Sequence, residues 1–159
     1  MEFMTLKQKF KQLFNIVLLS SFSLTAFGQV TLTDGYIRAV PASVPNTAAY
    51  MTLENHGSPV RLVAVSAAFA KEAQLHTLVD EAGLISMRQV EGFDIDSHST
   101  LVLSQTGDHI MLLGLKKPLI EGSNLALTLH FDDGREQMIS LPVKLQDRST
   151  NAEHHHHHH

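Results

Sequence analysis

The sequence predicts an all-β protein folded as an antiparallel Greek-key sandwich or barrel. Eight or nine short runs alternate apolar and polar side chains, which is the period of a strand with one buried face. Clusters of Gly, Pro, Asn, Asp and Ser separate these runs at regular spacing, and no long segment has a helical period. Short strands joined by tight turns pair as antiparallel neighbours, so these observations together favour that fold class.

Strands are expected in nine segments of the chain. The first is expected to break near Asp34 and Gly35, because both residues have turn chemistry. Residues 91–99 are polar and are expected to be irregular, although Phe93 and Ile95 are expected to lie beneath this loop. The expected strands are residues 30–40, 47–54, 60–66, 71–78, 84–90, 100–104, 107–115, 125–131 and 139–145.

The first 28 residues are expected to be absent from the mature protein. Residues 1–3 resemble a cloning remnant, and from Met4 a lysine-rich segment leads into an apolar stretch, residues 13–27. Small residues before Gln29 match a signal-peptidase site, so we expect cleavage there and a periplasmic location. The alternative is a retained anchor, but the uninterrupted apolar part is shorter than the ~20 residues of a membrane-spanning helix.

The mature part is expected to form one domain at residues 29–146, followed by a disordered tail at residues 147–159. The tail ends in a six-histidine tag, His154 to His159. The formal net charge of −4 offers no basic footprint for nucleic acid. The chain has no cysteine. We therefore expect no disulfide, no thiol redox chemistry, no lipobox lipid anchor and no blue-copper centre, since that centre needs a cysteine ligand.

The strand at residues 107–115 carries the most distinctive chemistry. Ile110 and Leu112 share one face of this strand, so His109 and Met111 share the other. Two strand rises separate their Cα atoms by roughly 6.6 Å. At that separation, an imidazole and a thioether can bind one soft metal ion.

Two earlier strands supply further candidate ligands. His76 lies on the polar face of its strand, beside Gln74, and Met87 shares a face with Ile85. Taken alone, His76 would be interpreted as a solvated histidine and Met87 as a core residue. Thioether sulfur favours Cu(I), imidazole accepts copper or zinc, and carboxylate is absent from this set. The four residues together predict a Cu(I) site with two histidines and two methionines.

The spacing of these four residues resembles the signature of the periplasmic copper chaperones called PCuAC. Ten residues separate His76 from Met87, twenty-one separate Met87 from His109, and one separates His109 from Met111. The resemblance extends over most of the mature domain, including residues 48–55, 107–112 and 118–122. It implies a cupredoxin-like β-barrel that binds one Cu(I) per monomer. It also implies that copper is supplied for the Cu(A) centre of cytochrome c oxidase subunit II, together with a Sco-type thiol protein.

Three functions are compatible with the sequence. The first is a non-enzymatic periplasmic Cu(I) carrier, and the second is a copper buffer that confers resistance without a dedicated acceptor. The third is a metal-free adhesion or assembly module. An enzyme is disfavoured, because the sequence has no Ser-His-Asp arrangement, no cysteine nucleophile and no convincing pair of carboxylates.

Other histidines and methionines are expected to play lesser roles. His56, His98 and His130 are expected to be solvated, with His98 the candidate for an auxiliary ligand. Met51 is expected in the core, and Met138 is a candidate for the lip of the site.

Overall fold

The structure, a computed structural model, describes residues 29–145 of the chain. These residues contain ten β-strands. The strands are β1 Val30–Arg38, β2 Thr47–Asn55, β3 Val60–Ser66, β4 Glu72–Glu81, β5 Leu84–Gln89, β6 Phe93–Ile95, β7 Thr100–Leu103, β8 His109–Leu113, β9 Asn124–Phe131 and β10 Glu136–Lys144. The all-β prediction is confirmed. The predicted signal peptide, the predicted tail and residue 146 lie outside the described residues. None of the described residues belongs to a helix long and apolar enough to cross a membrane.

The strands form one continuous sheet whose two halves share a single core. One half has the order β5-β4-β8-β2-β1, the other has the order β10-β9-β3-β6, and β7 pairs with β2. Between residues 29 and 145 the pairs are antiparallel except for β1 with β10, which run parallel. This pair corrects the purely antiparallel prediction. The first and last strands are joined by no turn, so no short connection forces them to run in opposite directions.

Two strands differ from their predicted form. Residues 91–99, expected to be irregular, contain β6, whose Phe93 and Ile95 are buried and which pairs with β3. β1 does not break at Asp34 and Gly35; its register only shifts just before them. A side chain at Gly35 would place its Cβ 2.8 Å from Leu141 Cδ2. Glycine therefore allows close packing inside this strand rather than a turn.

β7 and β8 lie one after the other along the same edge of β2. β8 pairs with the first residues of β2, and β7 pairs with its later residues. The turn between them, residues 104–108, is closed by a hydrogen bond from the Ser104 amide to the Asp108 carbonyl at 2.7 Å. This turn lies immediately before His109 and so fixes where β8 begins.

The core is formed by the inward-facing residues of both sheet halves. Ile110 and Leu112 of β8 are fully buried in it, and Met51 is 2% exposed, which confirms its predicted core position. Because strand side chains alternate, the burial of Ile110 and Leu112 sends their neighbours His109 and Met111 to the other face.

A tight hairpin joins β4 to β5. Its two central residues, Ala82 and Gly83, have φ angles of 56° and 86°. Two consecutive positive φ angles are typical of the type I′ turn that matches the twist of a hairpin. The Asp80 carboxylate accepts a hydrogen bond from the Gly83 amide at 2.8 Å. The hairpin fixes the register of β5 on β4 and therefore the position of Met87.

A buried asparagine joins two connecting segments at the far end of β2. Asn55 is 1% exposed, and its side-chain amide donates to the carbonyls of Ser58, Ile95 and Asp96 at 2.9, 3.1 and 3.0 Å. Its side-chain oxygen accepts from the Gly57 amide at 3.0 Å. This residue links the β2–β3 turn to the segment that follows β6.

Replacing Asn55 by Ala is expected to lower the free energy of unfolding by about 2 kcal/mol, because several buried carbonyls lose their donor. Urea denaturation of the metal-free protein measures this change. Ser58→Ala provides the control, since Ser58 contributes only its backbone carbonyl to the network. A loss for Asn55→Ala no greater than that for Ser58→Ala would contradict the structural role assigned to Asn55.

Candidate metal centre

The two candidate histidines lie directly opposite each other on neighbouring strands. His76 of β4 pairs with His109 of β8 in antiparallel register, and their ring centroids are 5.8 Å apart. Residues paired in this way project from the same face of the sheet. A metal ion held between the rings would therefore be within reach of both imidazoles.

The two candidate methionines lie on the same face. Met111 follows His109 by two residues and pairs with Gln74 of β4. Met87 of β5 pairs with Leu78, while Gln89 pairs with His76, so Met87 is the diagonal neighbour of His76. Such neighbours have Cα atoms about 7–8 Å apart, within reach of a long side chain. The structure thus brings all four predicted residues to one face of three adjacent strands.

The four side chains differ greatly in exposure. His109 is 4% exposed, His76 and Met111 are half-buried, and Met87 is 58% exposed on β5, an edge strand of the sheet. The interpretation of Met87 as core filler is therefore wrong. The candidate centre has a buried side at His109 and a solvent side at Met87.

Hydrogen bonds at the two histidines leave one ring nitrogen of each available. His109 Nδ1 donates to the Gly107 carbonyl at 2.9 Å, which leaves the lone pair on Nε2. His76 Nε2 donates to the Gln74 side-chain oxygen at 2.8 Å, which leaves the lone pair on Nδ1. His76 Nδ1 is buried and has no hydrogen-bond partner. A buried nitrogen without a partner is costly, and a metal ion would satisfy it.

Burial also changes the acidity of the His76 imidazole. The pKa of its imidazole is lowered below 6.5, first because burial disfavours the charged form and second because His109 lies nearby. His76 therefore stays neutral, and able to bind a metal, in more acidic solution than an ordinary histidine.

A cavity of about 380 Å³ lies beside three of the four candidate ligands. Met87, His109 and Met111 line it together with Leu78 and Ile85, so most of its wall near the candidate centre is apolar. Residues 29–145 contain no group of three or more His, Cys, Asp or Glu side chains arranged to hold a metal. The donors at this face are two imidazoles and two thioethers, a set suited to a soft ion.

The other candidates lie elsewhere. His56 bonds to Thr31 at 2.8 Å and His130 bonds to Ser66 at 2.9 Å, both on exposed surface. His98 lies in the loop that packs on the β2–β3 turn, at the opposite end of β2 from the site, so it is no auxiliary ligand. Met138 is 76% exposed on β10 and pairs with Thr128 of β9, so it does not lie at the lip of the site.

Sequence reasoning did not assign roles to Gln74 or to the Gly107 carbonyl. Both orient a histidine by accepting a hydrogen bond from one ring nitrogen, which leaves the other ring nitrogen available for a metal. The alternation of β4 does place Gln74 on the face of His76, and this was the available signal. The Gly107 contact depends on the shape of the preceding turn, which the residue pattern does not specify.

Comparison with known proteins gives relatives in sequence and structure. The profile of a family described as "LpqE-like: Putative lipoprotein LpqE-like" matches residues 30–143. A protein of Leifsonia xyli subsp. xyli named "Putative lipoprotein Lxx21020" is 36% identical over 117 residues, which cover 72% of this chain and 69% of that protein.

Solved structures share the fold. The Cu(I) form of DR1885 from Deinococcus radiodurans has a TM-score of 0.61 and 34% identity, covering 80% of this chain and 85% of that one. The copper-bound PCuAC domain from PmoF2 has a TM-score of 0.63 at 22% identity, covering 75% of this chain and 95% of that one. These neighbours confirm the predicted cupredoxin-like fold.

Proposed function

This chain belongs to the PCuAC family and to the LpqE-like group whose profile it matches, and from that premise we propose that it is a periplasmic carrier of Cu(I). In this proposal His76, Met87, His109 and Met111 bind one Cu(I) per monomer. The protein is not an enzyme; copper is its cargo, and the ion keeps its oxidation state throughout.

The observation that carries the proposal is the paired histidines. Two imidazoles face each other across β4 and β8, each bonded to the protein through one ring nitrogen, and the other ring nitrogen of His76 is buried without a partner. Two thioethers flank them on the same face. Thioethers favour Cu(I) over harder ions, so this donor set is suited to cuprous copper. The relative DR1885, 34% identical, has a structure titled as its Cu(I) form, which supports the same cargo here.

The exposure of Met87 suggests how copper leaves. Met87 is on an edge strand and open to solvent, whereas His109 is buried. The Cu–Met87 bond is therefore the first one that an incoming ligand can replace. None of the four ligands is a thiolate, so an acceptor with thiolates binds Cu(I) more strongly and draws the ion away. We propose that the acceptor is cytochrome c oxidase subunit II, at its Cu(A) site, or a Sco-type thiol protein.

The proposed location is the periplasm. The signal-peptide pattern before Gln29 supports export. The names of the LpqE-like family and of the Leifsonia relative, both described as lipoproteins, are consistent with an envelope location.

Copper affinity is expected to fall in mildly acidic solution, because a protonated imidazole cannot coordinate. The lowered pKa of His76 keeps that ligand available somewhat below 6.5. Below that pKa, affinity is expected to fall about tenfold per pH unit, because His76 must lose one proton to bind. Competition with a cuprous chelator of known pH dependence measures this slope. Affinity that stays flat from neutral pH to well below the histidine range would contradict coordination by His76 and His109.

Delivery is tested by anaerobic mixing of the Cu(I)-loaded, tag-free mature protein with the reduced soluble domain of subunit II. After separation of the two proteins, metal analysis is expected to find copper on the subunit. A subunit variant with its Cu(A) cysteines replaced by serine provides the control and is expected to receive none. Copper that remains on the carrier in both mixtures would contradict delivery and favour the buffering function.

A further inference from the structure

Arg38 at the end of β1 has a guanidinium nitrogen, Nε, without a protein partner. Its Nε is buried and makes no hydrogen bond. Among residues 29–145 its guanidinium forms no ion pair either. Buried hydrogen-bond donors in folded proteins are nearly always paired. A donor without a partner in a cavity wall therefore indicates an acceptor from outside the chain.

Arg38 lines the same cavity as the candidate copper ligands Met87, His109 and Met111. The pairing of Ile37 with Ala49 places Arg38 next to Ala48, and Ala48 pairs with Met111. On this face of the sheet, the positions of Arg38 and Met111 therefore lie on either side of Ala48. A ligand above Ala48 would contact both the cation and the copper site.

The cavity wall near Arg38 contains no carboxylate. Besides Arg38 and His109, the polar residues that line the cavity are Tyr50 and Gln105, and Gln105 donates to the Tyr36 hydroxyl at 2.5 Å. Burial raises the pKa of Tyr50 while the charge of Arg38 lowers it, which places the cation close to that phenol. The wall thus offers the positive charge of Arg38 and the hydroxyl of Tyr50, and it has no carboxylate to neutralise that charge.

We propose that Arg38 holds the anionic sulfur of a copper acceptor, a cysteine thiolate, against the Cu(I) site during transfer. The inference rests on the proposed function and names the residue that recognises the incoming ligand. Four neutral ligands leave the copper centre with a charge of plus one, so both it and Arg38 attract an anion. Cu(I) selects sulfur among anions, and a thiolate satisfies both groups.

The transfer step is a ligand exchange. The acceptor thiol loses its proton to solvent, and its sulfur lone pair forms a bond to Cu(I). The bond between copper and the Met87 thioether breaks, and the copper remains Cu(I) throughout. Arg38 acts here as a positioning residue, because it pairs with the thiolate before and during bond formation.

Stopped-flow transfer under anaerobic conditions tests the proposal with two acceptors. One is a reduced Cys-X-X-Cys peptide, which attacks as a thiolate, and the other is neocuproine, a neutral cuprous chelator. Arg38→Met is expected to slow transfer to the peptide about tenfold or more, the size of effect that electrostatic attraction has on association. Transfer to neocuproine is expected to be unchanged, and Arg38→Lys is expected to restore part of the rate to the peptide.

Lys144→Met is the matched control. Lys144 pairs in register with Arg38 on β10, but it is exposed and does not line the cavity. This variant removes the same charge from the adjacent strand and is expected to transfer copper to the peptide at the parent rate. Equal rates for the parent and Arg38→Met, equal slowing with both acceptors, or equal slowing by Lys144→Met would each overturn the proposal.

A second readout uses the copper-free protein. Titration with thiocyanate, a sulfur-bearing anion, is expected to shift the NMR resonances of Ala48 and Tyr50 in the parent and in Lys144→Met. No such shift is expected in Arg38→Met, and shifts that persist there would overturn the anion site. A parent that fails to bind Cu(I) at all would instead overturn the proposed function, and the thiocyanate titration keeps the two failures distinguishable.

Discussion

Replacing His109 by Ala is expected to weaken Cu(I) binding by more than about a hundredfold, beyond the 10–100-fold cost of losing an outer-shell partner. His109 is the most buried of the four candidate ligands, and its Nδ1 bond to Gly107 directs Nε2 toward the site. No neighbouring imidazole can take its place, since His76 is opposite and already used. Competition with a colorimetric cuprous chelator under anaerobic conditions measures the affinity.

Two further variants separate binding from folding. Because His109 is buried, alanine leaves a cavity and lowers stability, so His109→Gln provides a more similar volume without the imidazole. His130→Ala is the control, since His130 lies on β9 and bonds to Ser66 and Glu136. Copper affinity is expected to fall in His109→Gln and to stay at the parent value in His130→Ala. An unchanged affinity in a folded His109→Gln protein would remove His109 from the ligand set.

Replacing Met111 by Leu is expected to weaken Cu(I) binding about a hundredfold, the upper end of the range for losing a contact that supports a metal site. The change exchanges a thioether for a hydrocarbon of similar volume, which costs less than about 1.5 kcal/mol of folding free energy in a packed site. Copper affinity is therefore expected to fall while stability to urea stays close to that of the parent. Met87→Leu is expected to follow the same pattern with a still smaller effect on stability, because Met87 is 58% exposed.

Met51→Leu is the control for a methionine that packs in the core and does not belong to the candidate site. Met51 is 2% exposed in the core and faces away from the site. Its replacement is expected to change urea stability and leave copper affinity at the parent value. Parallel losses of affinity and stability in Met111→Leu would indicate that Met111 acts through packing and not as a ligand.

Strand positions and faces were predictable from the sequence because they depend on local alternation. The period of two around His109 and Met111 located the buried Ile110 and Leu112, and the same rule placed His76 on its polar face. The two long spacings, of ten and twenty-one residues, then related the strands that carry His76, Met87 and His109. β6 was not predicted as a strand, because three residues are too few to show an alternating pattern. The burial of Phe93 and Ile95 distinguishes it from the surrounding loop.

The features that the sequence did not predict depend on tertiary packing. The parallel pairing of β1 with β10 joins strands about a hundred residues apart, where no turn chemistry acts. The opposition of His76 and His109 follows from the register between β4 and β8, and that register depends on the whole sheet. The unpaired Nε of Arg38 can be recognised only from the folded chain, because the sequence does not show which donors find partners.

The central claim, that this face of the sheet binds one Cu(I), is tested most directly by titrating Cu(I) into the tag-free mature protein in competition with a cuprous chelator. The tag must be removed because its six histidines bind copper themselves. We expect one tight equivalent of Cu(I) in the parent and none in a folded His109→Ala/Met111→Leu double variant. A parent that does not compete with the chelator, or a folded double variant that binds as tightly as the parent, would contradict it.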